Sequence, residues 1–149
     1  IQLTLVPDLY GDGVFRAVGS NHVNPLSDPG GPPAEVAVYT PGDDPRERWE
    51  RVSLATFQTE EDGVGVGAPG VFAVDDLDGD GDLDLLVSGD GDPRVVWLEQ
   101  TAAGAFETHV LEADLRQAGV ATGDLDGDGR LEWIVAGWVD NVVLVYRWD

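Results

Sequence analysis

The sequence predicts an all-β chain built from repeated four-stranded antiparallel units. Three observations carry that expectation: a nine-residue acidic loop that occurs twice, short β-prone runs behind each copy, and a spacing of 48 residues from Asp76 to Asp124. The first loop is Asp76-Leu77-Asp78-Gly79-Asp80-Gly81-Asp82-Leu83-Asp84 and the second is Asp124-Leu125-Asp126-Gly127-Asp128-Gly129-Arg130-Leu131-Glu132. Carboxylates about 4 Å apart repel by roughly 1 kcal/mol per pair in bulk water, and by more where the dielectric falls. A divalent cation reverses that sign.

Calcium takes six to eight hard oxygen ligands, and alternate residues of a tight loop can all point inward to supply them. Asp76, Asp78 and Asp80 are spaced that way, as are Asp124, Asp126 and Asp128. Gly81 and Gly129 come next, where the chain must turn. Asp82 and Arg130 are each expected to lend a backbone carbonyl, and Asp84 and Glu132 to close the shell from the next segment. Two calcium sites are therefore expected. An EF-hand opens with the same residues but needs a bidentate Glu at the twelfth position, where this chain has Val87 and Val135. Each loop leads instead into a strand-length run, Leu83 to Val87 or Leu131 to Val135, so these loops join strands.

The period organises the rest. After the first complete loop come a strand Leu83 to Ser88, a turn Gly89 to Pro93 and a strand Arg94 to Glu99. A turn Thr101 to Gly104, a strand Ala105 to Leu111 and a strand Gly119 to Asp124 lead into the second loop. The first third keeps the same order around a damaged loop, Asp8-Leu9-Tyr10-Gly11-Asp12-Gly13-Val14-Phe15-Arg16. Tyr10 and Arg16 replace the third and ninth ligands there, and a guanidinium opposes a cation, so this turn reads as metal-free. Glu35 to Tyr39 then matches the third strand, and Trp49 to Leu54 matches Phe106 to Leu111 as the fourth. The repeats span approximately 1–57, 69–111 and 118–149 within one segment.

Four short antiparallel strands per period mark a β-propeller blade. The stretches Val96-Trp97-Leu98-Glu99, Gly104-Ala105-Phe106, His109-Val110-Leu111 and Gly123 to Gly129 resemble the VCBS and FG-GAP type repeats of integrin-like propellers. That resemblance implies a blade whose first two strands are joined by a calcium loop. It also implies a role in adhesion, in carbohydrate recognition, or as a module of a secreted enzyme of lyase or dehydratase type. Propellers close with four to eight blades. Three units, the last one strand short, are thus expected to form a partial propeller or part of a closed ring, completed by a longer chain or by a second copy.

Composition narrows the partners. The chain has 149 residues, 42% of them hydrophobic, with 29 acidic against 8 basic residues and a net charge of -21, which makes nucleic acid an improbable partner. There is no cysteine, hence no disulfide framework or thiol nucleophile. No apolar run approaches a membrane span, and the chain begins at Ile1 without an initiator methionine, so any secretory signal is expected to be already gone. Oxygen-ligand sites that fill only at about 0.1 to 1 mM calcium belong outside the cell, so an extracellular, secreted or cell-surface protein is expected.

A ligand, protein or carbohydrate, is expected on the face opposite the calcium loops. That face carries the Gly19 to Pro33 insertion with His22 and Asn24, the turns around Asp90 and Asp92, the connector Gln58 to Gly70, and the turn Trp138-Val139-Asp140-Asn141. An aromatic beside amide and carboxylate groups suits a sugar, so Trp138, Asp140, Asn141 and His22 are the candidates. Trp97, Trp133 and Trp49 are expected in the core, and His109 is expected to be structural. The two histidines are far apart and no nucleophile motif is present, so no catalytic set is expected.

Overall fold

A computed structural model describes residues 3–23, 31–57, 69–89, 94–112, 114–115 and 118–148. Its strands form three antiparallel sheets. Blade 1 holds β1 (Leu3–Val6), β2 (Arg16–Ser20), β3 (Glu35–Thr40) and β4 (Glu50–Thr56). Blade 2 holds β5 (Pro69–Asp75), β6 (Asp84–Gly89), β7 (Val95–Ala102) and β8 (Ala105–Glu112), and blade 3 holds β9 (Ala118–Gly123), β10 (Glu132–Gly137) and β11 (Val142–Arg147). In every sheet the strands neighbour one another in chain order, each blade being an up-and-down meander, and blade 3 has three strands among the described residues. The sheets do not close into a ring among the described residues.

Each acidic loop joins the first strand of its blade to the second. The equivalence extends into the ladders: Leu5 opposite Ala17, Val74 opposite Leu85 and Thr122 opposite Trp133 occupy the same rung of the three sheets. Strand side chains alternate between faces. In β6, Leu85 and Val87 therefore pack toward blade 1 while Leu86 packs toward blade 3. In β7 the alternation places Val96 and Leu98 toward blade 1, and Val95 and Trp97 toward blade 3. Both faces of blade 2 are covered, which explains why its central strands read as unbroken apolar runs.

One hydrophobic cluster joins blades 1 and 2 around Val18, Val36, Val38, Phe72, Leu85 and Leu98; another joins blades 2 and 3 around Leu86, Trp97, Trp133 and Val135. Trp97 and Trp133 are buried as expected, with ring centroids 5.2 Å apart. Full burial of such apolar side chains contributes roughly 1.5–3 kcal/mol each.

Polar side chains tie the blades together where apolar packing ends. Gln100, fully buried in β7, donates from Nε2 to the carbonyls of Leu9 (2.9 Å) and Leu83 (3.1 Å) and accepts from the Gly104 N–H (3.1 Å). Ser88 Oγ donates to the Ala118 carbonyl at 2.6 Å, linking blade 2 to blade 3.

Two local expectations change. The Thr101 to Gly104 turn shortens to Ala103-Gly104, because a register shift lets β7 run to Ala102. Trp49 is not in the core: it is half-buried, its indole N–H donates to the Pro45 carbonyl at 2.8 Å, and its ring lines a groove on the outer face of blade 1. Its counterpart Phe106 packs on blade 1, with its ring 6.5 Å from that of Tyr10. Blade 1 has no blade before it among the described residues, so the same sequence position meets solvent.

Candidate metal centre

The aspartates fold their own loops. Asp76 accepts the Gly79 N–H on Oδ1 (2.8 Å) and the Gly81 N–H on Oδ2 (3.1 Å), while Asp78 accepts from Asp80 (3.1 Å) and Asp80 from Asp82 (2.8 Å). The second loop repeats this: Asp124 accepts from Gly127 (2.7 Å) and Gly129 (2.9 Å), Asp126 from Asp128 (3.2 Å), and Asp128 from Arg130 (2.9 Å). Such turns suit aspartate because its short side chain reaches backbone N–H groups two or more residues on. Gly81 and Gly129 sit at φ 99° and 88°, where a side chain would be strained.

This folding leaves three carboxylates converging in each loop. One oxygen from each of Asp76, Asp78 and Asp80 lies within 4.8 Å of the others, and the same holds for Asp124, Asp126 and Asp128. The donor set is all hard oxygen, which fits a cation of the calcium class. Burial first, then the charges of Asp80, Glu99 and Asp76, push the Asp78 carboxyl above its ordinary range, a strain that a bound cation would relieve.

The remaining members of the expected ligand set do other work here. Asp82 and Arg130 are exposed and close the loops through their N–H groups. Asp84 and Glu132 are buried and brace the loops from the following strand: Leu77 N–H donates to Asp84 Oδ2 (3.2 Å) and Leu125 N–H to Glu132 Oε2 (2.7 Å). Asp84 also accepts the Gln100 N–H at 2.7 Å, and burial pushes its carboxyl up to about 6.

In the first blade, Asp8 accepts the Gly13 N–H (2.6 Å), as Asp76 and Asp124 accept theirs five residues on. A cation is supplied internally. Arg16 grips both oxygens of Asp12 at 2.7 and 2.6 Å and lies 4.1 Å from the centre of the Tyr10 ring.

The second residue of each loop differs in burial according to whether a described blade packs after it. Leu9 is buried and its carbonyl accepts from Gln100 of blade 2; Leu77 is buried and its carbonyl accepts the Trp133 indole N–H of blade 3 at 3.2 Å. Leu125, at the same position in blade 3, is 60% exposed.

On the opposite face, Trp138, Asp140 and Asn141 share the turn between β10 and β11; Trp138 is 83% exposed, and Asn141 takes a left-handed φ of 53°. His22 lies just beyond β2 in blade 1 and is exposed, so the structure groups the three turn residues and leaves His22 on another blade. Asn24, Asp90, Asp92 and residues 58–68 lie outside the described residues.

A third converging group was not expected. Glu99 and Glu107 stand opposite each other across β7 and β8, and His109 Nε2 lies 2.6 Å from Glu99 Oε2 with its ring 4.7 Å from that of Trp97. Like charges facing across a ladder are destabilising. An imidazole two residues beyond Glu107, on the same strand face, gives Glu99 a hydrogen-bonding partner, and that period-two spacing was readable in the sequence.

The fold and the loops thus define a protein of propeller-type blades with acidic turns between first and second strands. Residues 76–135 match the profile of the FG-GAP-like repeat family. No curated protein and no solved structure shows significant similarity to the chain.

Proposed function

We propose that the chain is a calcium-stabilised propeller module that acts outside the cell as a binding or scaffolding element, in adhesion or carbohydrate recognition. The observation that carries this reading is the pair of loops in which three carboxylates converge on one point. Asp76, Asp78 and Asp80 would hold one ion and Asp124, Asp126 and Asp128 the other, with the carbonyls of Asp82 and Arg130 and the acids Asp84 and Glu132 completing the shells. The bound ion neutralises the carboxylates, and so couples its own affinity to the stability of the blade. Repeats of this family are typical of extracellular proteins, and among the described residues no helix is long and apolar enough to cross a membrane. The exposed Trp138 turn, remote from the ion loops, offers an aromatic plane beside Asp140 and Asn141 for a sugar or a protein side chain.

The test is calcium titration and thermal melting of the Asp78→Ala and Asp126→Ala variants. Each is expected to bind one ion fewer. At 1 mM calcium and a dissociation constant near 0.1 mM, each should melt about 3–6 °C lower. Unchanged stoichiometry and melting in both variants would overturn the reading.

A further inference from the structure

Among the described residues, two apolar faces have no blade against them, one on blade 1 and one on blade 3. On blade 1, Leu3 and Leu5 are 60% and 58% exposed, and with Tyr39 and Trp49 they wall a groove of about 380 Å³ floored by Ala17 and Gly19. On blade 3, Val143 and Val145 are 65% and 54% exposed beside Ala121 and the half-buried Ile134. Patches of this kind mark interaction sites rather than ordinary surface.

The ladders say what each face is built to meet. Leu3, Leu5 and Tyr39 occupy the rungs of Phe72, Val74 and Leu98, and Trp49 precedes Glu50 as Phe106 precedes Glu107. Those four blade 2 residues are among the ones packed against blade 1. At the other end, Ala121, Ile134, Val143 and Val145 occupy the rungs of Ala73, Leu86, Val95 and Trp97, the blade 2 residues packed against blade 3. One end of the chain therefore carries the receiving half of a blade-to-blade contact, and the other end carries the presenting half. The exposed Leu125 sits at the presenting end, where Leu9 and Leu77 are each covered by the next blade along.

We propose that the outer face of blade 3 docks on the outer face of blade 1 in a second copy of this chain. The contact repeats, between molecules, the packing already present twice within one. Because the two halves differ, the contact is head to tail, and it closes only if the rotation per copy allows it. Two copies of three blades make six, within the range at which propellers close. The net charge of -21 opposes the approach of two copies. The association is thus favoured by calcium and by salt, which shortens the Debye length to about 8 Å at 0.15 M. The contact rests on blade packing and not on the identity of the loop cation.

The experiment is light scattering of the 149-residue chain in 1 mM calcium at 0.15 M salt over a range of concentrations, with the variants Leu5→Glu and Val145→Glu. Both side chains are more than half exposed, so circular dichroism and melting of the monomeric form should match the parent. The parent is expected to reach twice 15.9 kDa, each variant alone to stay at 15.9 kDa, and an equimolar mixture of the two to recover a dimer through the one contact that remains intact. Recovery by mixing is specific to a head-to-tail contact. A parent that stays monomeric at all concentrations, a dimer broken by only one of the two substitutions, or variants that do not complement each other would overturn the proposal. A change in mass leaves the number of bound ions unaltered, so this failure is distinguishable from failure of the calcium reading.

Discussion

Arg147 stands directly opposite Glu132 in the β10–β11 ladder, and its guanidinium reaches past that acid into the second loop. Its Nη2 lies 2.6 Å from Glu132, 2.8 Å from Asp128 and 3.4 Å from Asp126. In blade 2 the same rung, 48 residues earlier, holds Glu99. The two loops therefore sit in opposite fields. Asp78 is held above its ordinary range by burial and by neighbouring acids, whereas Asp128 is held below its range by the Arg130 N–H first and then by the Arg147 charge. A cation is expected to fill the 76–84 loop first, because the second must displace a guanidinium. Arg147→Ala should raise the affinity of the second loop about 2- to 5-fold, the modest range expected of a solvent-screened ion pair, and leave the first constant unchanged. Two-site calorimetry measures both constants, and an unaltered second constant would show that the guanidinium does not compete.

The Arg16–Asp12 pair in the first turn of blade 1 makes a pH prediction. The two hydrogen bonds from Arg16, and then the Val14 N–H, pull the Asp12 carboxyl down to about 2. Its unfolded counterpart titrates near 3.9. The folded value lies below the unfolded one, so the stabilisation is complete above pH of about 4 and is lost as the pH falls toward 2. Melting curves of the parent and of Asp12→Asn in chelator should differ by a constant amount at neutral pH and converge in acid. A difference that persists at pH 2 would assign the effect to packing and not to charge.

Gln100 is the tie whose loss should cost most for its size. Replacing it with Leu leaves the carbonyls of Leu9 and Leu83 and the N–H of Gly104 without their side-chain partner at a blade boundary. Each unsatisfied buried group costs about 1–3 kcal/mol, so Gln100→Leu is expected to lower stability by about 2–4 kcal/mol in urea denaturation, allowing for relaxation of the exposed turn. A loss below about 1 kcal/mol would mean that water replaces the amide.

Blades and acidic turns were legible in the sequence because their causes are local. Alternating apolar residues set a strand, and an Asp-Gly turn is folded by side chains two to five residues away. Contacts between blades were less legible. Trp49 and Phe106 share one position in the repeat, yet only Phe106 has a blade in front of it. Arg147 lies 21 residues from Asp126, and no local pattern announces that it faces the second loop. Glu99 and His109 meet only after the β7–β8 register is fixed. In each case the deciding neighbour comes from the far side of a ladder or from another sheet.

The carbonyls of Leu9 and Leu77 give the array a direction. Each is secured by the blade downstream of it, so every joint is locked by its successor. Such a row behaves as a one-dimensional lattice in which each unit borrows stability from its nearest neighbours. Blade 2, supported on both sides, should be the last part of the chain to exchange its amide protons. The 124–132 loop, with no following blade against it among the described residues, should be the first place where the structure breathes, and the arrival of a further blade there would be sensed upstream through the chain of joints.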